Sequence, residues 1–331
     1  MVDRKIRVFV YETTSADPAC VDATWVSQGR SMRNAMLADL ARLGGVRVTC
    51  AVPGAADADL PPGVQVSCRP RGRQPQDYLR DQAGANDLVW VVAPETGGLL
   101  ASLRRVVADR RWLGCSRDAI DLAGSKQATV LCLRAADIAA PLGIDSGDPV
   151  SAGPEIGGWV VKPDDGCAAS GVRRHADLAG ALADCEARRQ RQEQAVIERW
   201  VDGEPLSITL LCSARGAEVL SLNRQRIEVD GSGGVSFGGV AIGVVPGDRQ
   251  ERLAALASQV WRALPGLAGI VGVDLVWHPV RGPVVIEVNP RPTCAYDGLS
   301  AMLGRNLAAE MMALHARDWP GTVPATAAAA A

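Results

Sequence analysis

Two carboxylates and an amide near the end of the chain raise the first chemical question. In VVIEVNPRPT, residues 284–293, Val284, Val285, Ile286 and Val288 read as a buried β-strand, because β-branched residues suit a pleated, enclosed surface. Glu287 and Asn289 interrupt that run two apart. A strand alternates faces with period 2, so both side chains point the same way. A buried carboxylate is costly unless an arginine, a lysine or a metal ion meets it. Asp274, in the preceding run GIVGVDLVWH, completes a set. The short turn from His278-Pro279 to Gly282 predicts a hairpin in which Asp274 faces Glu287 and Asn289 across the ladder. Three hard oxygen ligands on adjacent strands suit Mg²⁺, which keeps waters and commonly binds the phosphates of a substrate as well. A polar strand end facing solvent competes with this reading for each residue alone, and less well for the three together.

A site for those phosphates lies upstream. Lys162, in VVKP, sits on a predicted strand that enters DDGCAASG, residues 164–171. The small residues there, Gly166, Ser170 and Gly171 among them, let backbone N–H groups approach phosphate oxygens while the lysine adds a point charge. About 35 residues on, IERWVDGEP runs through Asp202-Gly203 into Glu204. That exit can offer backbone groups to an adenine and a carboxylate to ribose hydroxyls.

Composition narrows the classes around this site. A chain of 331 residues can bury a large core and should split into two or three domains. Hydrophobic residues make up 47% and charged residues 22%, ordinary values for a folded soluble protein. A formal net charge of −2 offers nothing to nucleic acid or an anionic membrane. The nine cysteines form no C-x-x-C pair, which fits reduced thiols in a cytoplasm and neither a disulfide framework nor a zinc site. The apolar run of MVDRKIRVFVYE is too short for a signal peptide, and no run approaches the ~20 residues of a membrane span.

The elements that must hold the site fall in three blocks. Residues 1–113 alternate strands (IRVFVY, VRVTCAV, DLVWVVA) with helices (SMRNAMLADLARLG, LLASLRRVVADR), which predicts a parallel sheet with helices on its faces. No G-x-G-x-x-G follows the first strand, so the dinucleotide fingerprint is absent. Residues 114–202 begin with a mostly helical stretch. A Pro/Gly-rich connector follows, then the strand WVVKP, a short strand GVRRH, a helix over about 176–193 and the strand AVIERWV. Residues 203–320 read as three strands, a helix near 249–263, two further strands and a final helix near 299–316. The tail 321–331 is predicted to be disordered.

In this order the motifs resemble the ATP-grasp carboxylate–amine ligases, and the resemblance covers almost the whole chain. It implies an α/β chain, α+β in its ATP-binding part, with the ATP-grasp fold behind an N-terminal βαβ pre-ATP-grasp domain. Residues 1–113 would form that domain, 114–202 the small lid subdomain and 203–320 the catalytic subdomain. The resemblance makes Lys126 in GSKQAT the first ATP lysine, with Ser125 where the family often has Asp. Lys162 becomes the lysine at the α/β-phosphates. ERWV becomes the adenine hinge, with the Glu198 carbonyl and the Val201 N–H on either side of Trp200. Glu204 matches the ribose carboxylate, and Asp274, Glu287 and Asn289 match the ligands of two Mg²⁺ ions, with Mn²⁺ as a substitute. The stretches APET, LNRQRI and NPRPT are similar to the tyramine–glutamate ligase group of methanofuran-type cofactor biosynthesis. That group joins the γ-carboxyl of glutamate to tyramine. Cys294 and Tyr296 depart from its pattern after NPRPT. Gly272 stands where peptide-ligase members place an arginine, so Arg291 or Arg224 must hold the transferring phosphoryl group instead.

A carboxylate substrate would then attack the γ-phosphorus of ATP, and an amine would displace phosphate from the acyl phosphate. Positioning and charge neutralisation supply most of such catalysis, and no side-chain nucleophile is needed. His175, His278 and His315 accordingly read as structural, and Cys167 and Cys294 as small fillers. Glu12 and Glu95 follow the first and last strands of the first block, at the edge where open α/β sheets gather ligands, and both are candidates for a substrate ammonium group. For Glu95 the competing reading is support of the following helix through its dipole. Small-molecule substrates are the expected partners, with a homodimer open. Two other readings also stay open: a ligase adding glutamate or another amino acid to a pterin cofactor or an amino acid, and a non-catalytic nucleotide-binding protein.

Overall fold

The computed structural model describes residues 5–20, 22–54, 59–144 and 157–315. The connector at 145–156 and the tail at 321–331 lie outside the described residues. The first block builds β1 (Ile6–Glu12), a single-turn α1 (Thr13–Ala16), α2 (Ala23–Ala41), β2 (Val46–Val52), β3 (Gln65–Cys68), α3 (Pro75–Ala85) and β4 (Leu88–Val92). The four strands pair in the order β3-β2-β1-β4, all parallel, as the βαβ rhythm predicts. β3 and α3 have no counterpart in the sequence reading, because QVSC carries a single β-branched residue and α3 little apolar periodicity. Register sets Glu12 beside Val92, so β1 and β4 end together at one edge, just before Glu95.

After α4 (Leu99–Arg105) come α5 (Arg117–Ala123) and α6 (Lys126–Ala135), each opened by a serine. Ser116 and Ser125 accept from the backbone N–H of the residue three further on, filling one of the donors a helix start leaves free. A small antiparallel sheet follows, with β5 (Trp159–Pro163), β6 (Arg173–His175), α7 (Leu178–Gln190) and β7 (Ala195–Arg199). Its own core is slight: Trp159, Val161, Ala181 and Ile197.

The largest sheet is antiparallel, in the order β10-β9-β8-β11-β12. It comprises β8 (Glu204–Ser213), β9 (Gly216–Val229), β10 (Val235–Ala241), β11 (Gly269–His278) and β12 (Gly282–Asn289), with α8 (Gln250–Ala263) between β10 and β11. Leu253, Leu256, Ala257 and Val260 recur at helical spacing on α8 and share a core with Leu206, Ile208 and Leu210 of β8. The other face of this sheet is therefore left for the cleft. The predicted final helix is broken into α9 (Leu299–Leu303) and α10 (Leu307–His315) at Gly304, whose φ of 63° is left-handed. The turn between β9 and β10 reaches the small sheet, where Arg174 donates to the Gly233 carbonyl at 2.7 Å and Val235 to Val172 at 3.0 Å.

Candidate active site

A cleft of about 530 Å³ opens where the three sheets meet. On its floor β11 and β12 pair antiparallel, with Asp274 directly opposite Glu287 and Gly272 opposite Asn289. The predicted hairpin is thus present and all three oxygen-bearing side chains line the cleft. Gln225 on β9 donates to Asp274 at 2.9 Å, and the Asn289 amide lies 3.4 Å from the same carboxylate. Burial, followed by the facing charge of Glu287, pushes the Asp274 carboxyl up to about 7. Two carboxylates held this close repel unless a proton or a cation lies with them. Among the described residues no group of three Asp, Glu, His or Cys is placed to hold a metal, and here the third donor is an amide. Two carboxylates and an amide, with the remaining positions left to water and phosphate, fit magnesium.

Positive charge approaches from the opposite wall. Lys126, buried in the first turn of α6, lies 3.2 Å from Glu287 and donates to the Gly166 carbonyl. Burial disfavours its charge, but Glu287 outweighs that and holds the ammonium above its ordinary range. Lys162 on β5 pairs with Glu198 on β7 at 2.7 Å, and both are buried. The loop beyond Lys162 is fastened to α6: Lys126 N–H donates to the Asp164 carbonyl and Gln127 N–H to its carboxylate, each at 2.9 Å. Within that loop Ala168, Ala169 and Gly171 have φ of 51°, 58° and 69°. Consecutive left-handed alanines are strained, and the Ser170 N–H closes their turn on the Cys167 carbonyl at 3.0 Å; strain of this kind gathers at ligand-binding loops. Gly166, Ser170, Glu198, Trp200 and Val201 all line the cleft with both lysines.

Two predicted residues face elsewhere. Glu204 points to the α8 side of the large sheet, where Arg249 meets it at 2.7 Å and Arg224 at 2.8 Å. Pro205 and Ser207 take the cleft-facing places on β8. The cause is local. A side chain at Gly203 would strike the Trp277 carbonyl, so glycine lets β8 start against β11 with Glu204 opposite Trp277. The carboxylate that lines the cleft here is Asp202, which accepts from the Trp200 indole at 3.0 Å. Arg224 falls with Glu204: its β9 neighbours Gln225 and Ile227 face the cleft and it does not. Gln225 reaches the cleft by its place on β9 and Asp202 by lying in the turn before β8 begins, and neither placement has a local sequence signal.

Arg291 is the arginine that remains. It lines the cleft and makes a two-pronged bond to Glu95, at 2.9 and 2.8 Å. Burial opposes its charge, and Glu95 more than offsets this, raising it above the ordinary guanidinium value. Glu95 is therefore engaged by Arg291 and is absent from the cleft lining, which corrects its reading as a substrate carboxylate; it makes no side-chain cap for the turn that follows either. Glu12 does line the cleft, while capping α1 through the N–H groups of Thr14 and Ser15 at 3.1 and 2.6 Å. A side chain at Gly29 of α2 would strike the Glu12 carboxylate, so glycine admits the close approach. At Gly272, Thr293 occupies the space a longer residue would need. Burial pushes the thiols of Cys167 and Cys294 up, which suits fillers and not nucleophiles.

Residues 123–295 match the ATP-grasp domain, and residues 46–120 match the pre ATP-grasp 3 domain. The chain belongs to the ATP-grasp family. It is 31% identical over 215 residues to the tyramine–L-glutamate ligase of Methanocaldococcus jannaschii, covering 64% of this chain and 58% of that protein. With the same-named protein of Methanocaldococcus fervens it shares 29% over 216 residues, covering 64% and 61%. The matched region thus spans about three-fifths of these relatives' length. A crystal structure of an ATP-grasp superfamily protein from Archaeoglobus fulgidus superposes with a TM-score of 0.70 at 20% identity, over 93% of this chain and 88% of that one, a likeness of fold alone. No helix among the described residues of this ATP-grasp protein is long and apolar enough to cross a membrane.

Proposed function

We propose that this ATP-grasp protein is an ADP-forming carboxylate–amine ligase of the cytoplasm that joins the γ-carboxyl of L-glutamate to tyramine, in the making of a methanofuran-type cofactor. One observation carries the reading: Lys126, Lys162 and Arg291 converge with Asp274, Glu287 and Asn289 on one cleft. A chain that only served as a scaffold would gain nothing from so many buried charges, since each costs desolvation. The names of the relatives supply glutamate and tyramine.

Each residue then has a task. Glu198 holds Lys162 at the strand that leads to the phosphate loop, where the ammonium meets the α/β-phosphates. Gly166 and Ser170 donate their N–H groups to the Pro163 and Cys167 carbonyls, so the other backbone N–H groups of 167–171 take the phosphate oxygens, and the hinge at Glu198, Trp200 and Val201 takes the adenine. Asp202 is the ribose carboxylate in place of Glu204. Asp274, Glu287 and Asn289 would hold two Mg²⁺ ions, which neutralise phosphate charge as the γ-phosphoryl group moves. Arg291, braced by Glu95, steadies that group while a glutamate carboxylate oxygen attacks phosphorus and the bond to ADP breaks. Glu12 holds a substrate ammonium group. The amine nitrogen attacks the acyl carbon, phosphate leaves, and the nitrogen loses a proton.

Phosphate release from ATP–Mg²⁺ with glutamate and a panel of amines tests the proposal. Release with tyramine and not with alkyl amines or amino acids is the expected result. Release with a pterin or amino-acid acceptor instead would move the substrate assignment, and no release with any acceptor would leave a nucleotide-binding protein.

A further inference from the structure

The cleft face of the β9–β10 hairpin is apolar along most of its length. Three cross-strand pairs line it: Val229 with Val235, Ile227 with Phe237, and Gln225 with Val240. The outer face carries Arg224, Arg226 and Glu228. Strand parity alone would not produce this arrangement, because Phe237 and Val240 are three residues apart. Gly238-Gly239 forms a bulge that sets two residues of β10 against the single Arg226 of β9, so both side chains return to one face. Gly239 has a φ of 120°, a conformation that favours glycine, so the bulge depends on it. The ladder ends beside the reacting centre, because Gln225, opposite Val240, donates to Asp274 at 2.9 Å.

A second apolar wall comes from α2. Trp25, Gln28 and Met32 recur at three- and four-residue spacing and line the same cleft. Both α2 and β10 pack against the turn Cys294–Tyr296, which follows Arg291 and supplies Cys294 and Ala295 to the cleft between them. Cys294 lies 3.7 Å from the Gln28 side-chain oxygen, which ties that turn to α2. The result is an apolar slot that reaches Asp274 through Gln225 and lies at the β9–β10 edge of the large sheet, across the strand order from the β12 edge that carries Ile286.

We propose that this slot is the acceptor-specificity site: Phe237, Ile227 and Val240 on one side, and Trp25 and Met32 on the other, take the aromatic ring of the acceptor amine. The inference rests on the ligase reading above and names the side chains that would choose its amine. A planar ring removes much apolar area from water between such walls, and a short polar amine does not.

The test measures glutamate-dependent ADP formation by the full chain with two acceptors, tyramine and hydroxylamine, which needs no slot. For Phe237→Ala, and separately for Trp25→Ala, kcat/KM for tyramine relative to hydroxylamine should fall about tenfold or more. Circular dichroism melting shows that each variant is folded, and Phe237→Leu should restore part of the ratio. An unchanged ratio in both alanine variants would overturn the slot while leaving the ligase intact. Wild-type protein that forms no glutamyl hydroxamate would instead strike down the ligase reading, and the slot with it.

Discussion

Glu204 and Asp274 sit on neighbouring strands of one sheet, three register positions apart, and they live under opposite conditions. Glu204 faces α8, where Arg249 and Arg224 hold its carboxyl below the usual range, the hydrogen bond from Arg249 being the largest influence. Asp274 faces the cleft with no arginine bonded to it, and burial beside Glu287 drives it up to about 7. One carboxylate is satisfied by the protein and the other is left wanting a cation. An acidic residue whose charge the fold has already neutralised is architecture. One whose charge is left unneutralised at a cleft floor is equipment for a ligand.

Substitutions can break this contrast, and the largest effect belongs to Glu287. Glu287→Gln keeps volume and a polar end but removes the charge, so ADP formation should fall by about a thousandfold or more while circular dichroism still shows a folded chain. Turnover near that of the unaltered protein would end the metal assignment. Next comes the brace on Arg291. Glu95→Gln leaves a buried guanidinium half-partnered, and kcat should drop about tenfold to a hundredfold with the KM of ATP little changed. A rise confined to the KM of an amine would return Glu95 to the substrate. Lys162→Met retains the aliphatic stem and should raise the KM of ATP about tenfold or more. A Met variant that binds ATP normally would mean that only the stem matters.

Glu204→Gln should do least. Its pair is partly exposed, so the loss is about 1 kcal/mol or less, with neither KM moved. Because the folded-state value is lowered, the stability Glu204 contributes is present above the ordinary value of 4.5 and is lost as pH falls through the lower folded value. Melting curves of the variant and the parent should therefore differ at neutral pH and converge in acid. A Glu204→Gln variant with weakened ATP binding would put Glu204 back at the ribose.

The sequence read well where chemistry and periodicity coincided. VVIEVNPRPT predicted its strand, its hairpin partner and the shared face of Glu287 and Asn289, because period-2 alternation carries that information directly. The parallel first sheet was legible from its succession of strands and helices, and the helix near 249–263 from apolar residues at helical spacing. Glu204 turns to the α8 side because its face depends on how β8 registers against Trp277, a long-range pairing with no local signature. Glu95 lies 196 residues from Arg291, and nothing in APET announces that partner. Gln225 was hidden by its ordinary chemistry. Its role comes from lying on the cleft face of β9, one strand beyond β8 from Asp274.

The central claim is that this cleft activates a carboxylate by phosphorylating it. Glutamate labelled with ¹⁸O in its γ-carboxyl group, turned over with ATP–Mg²⁺ and tyramine, tests that most directly. An acyl phosphate intermediate requires one labelled oxygen to leave with the released phosphate, and mass spectrometry of that phosphate should show it. Phosphate released in step with amide formation but free of label would contradict the account.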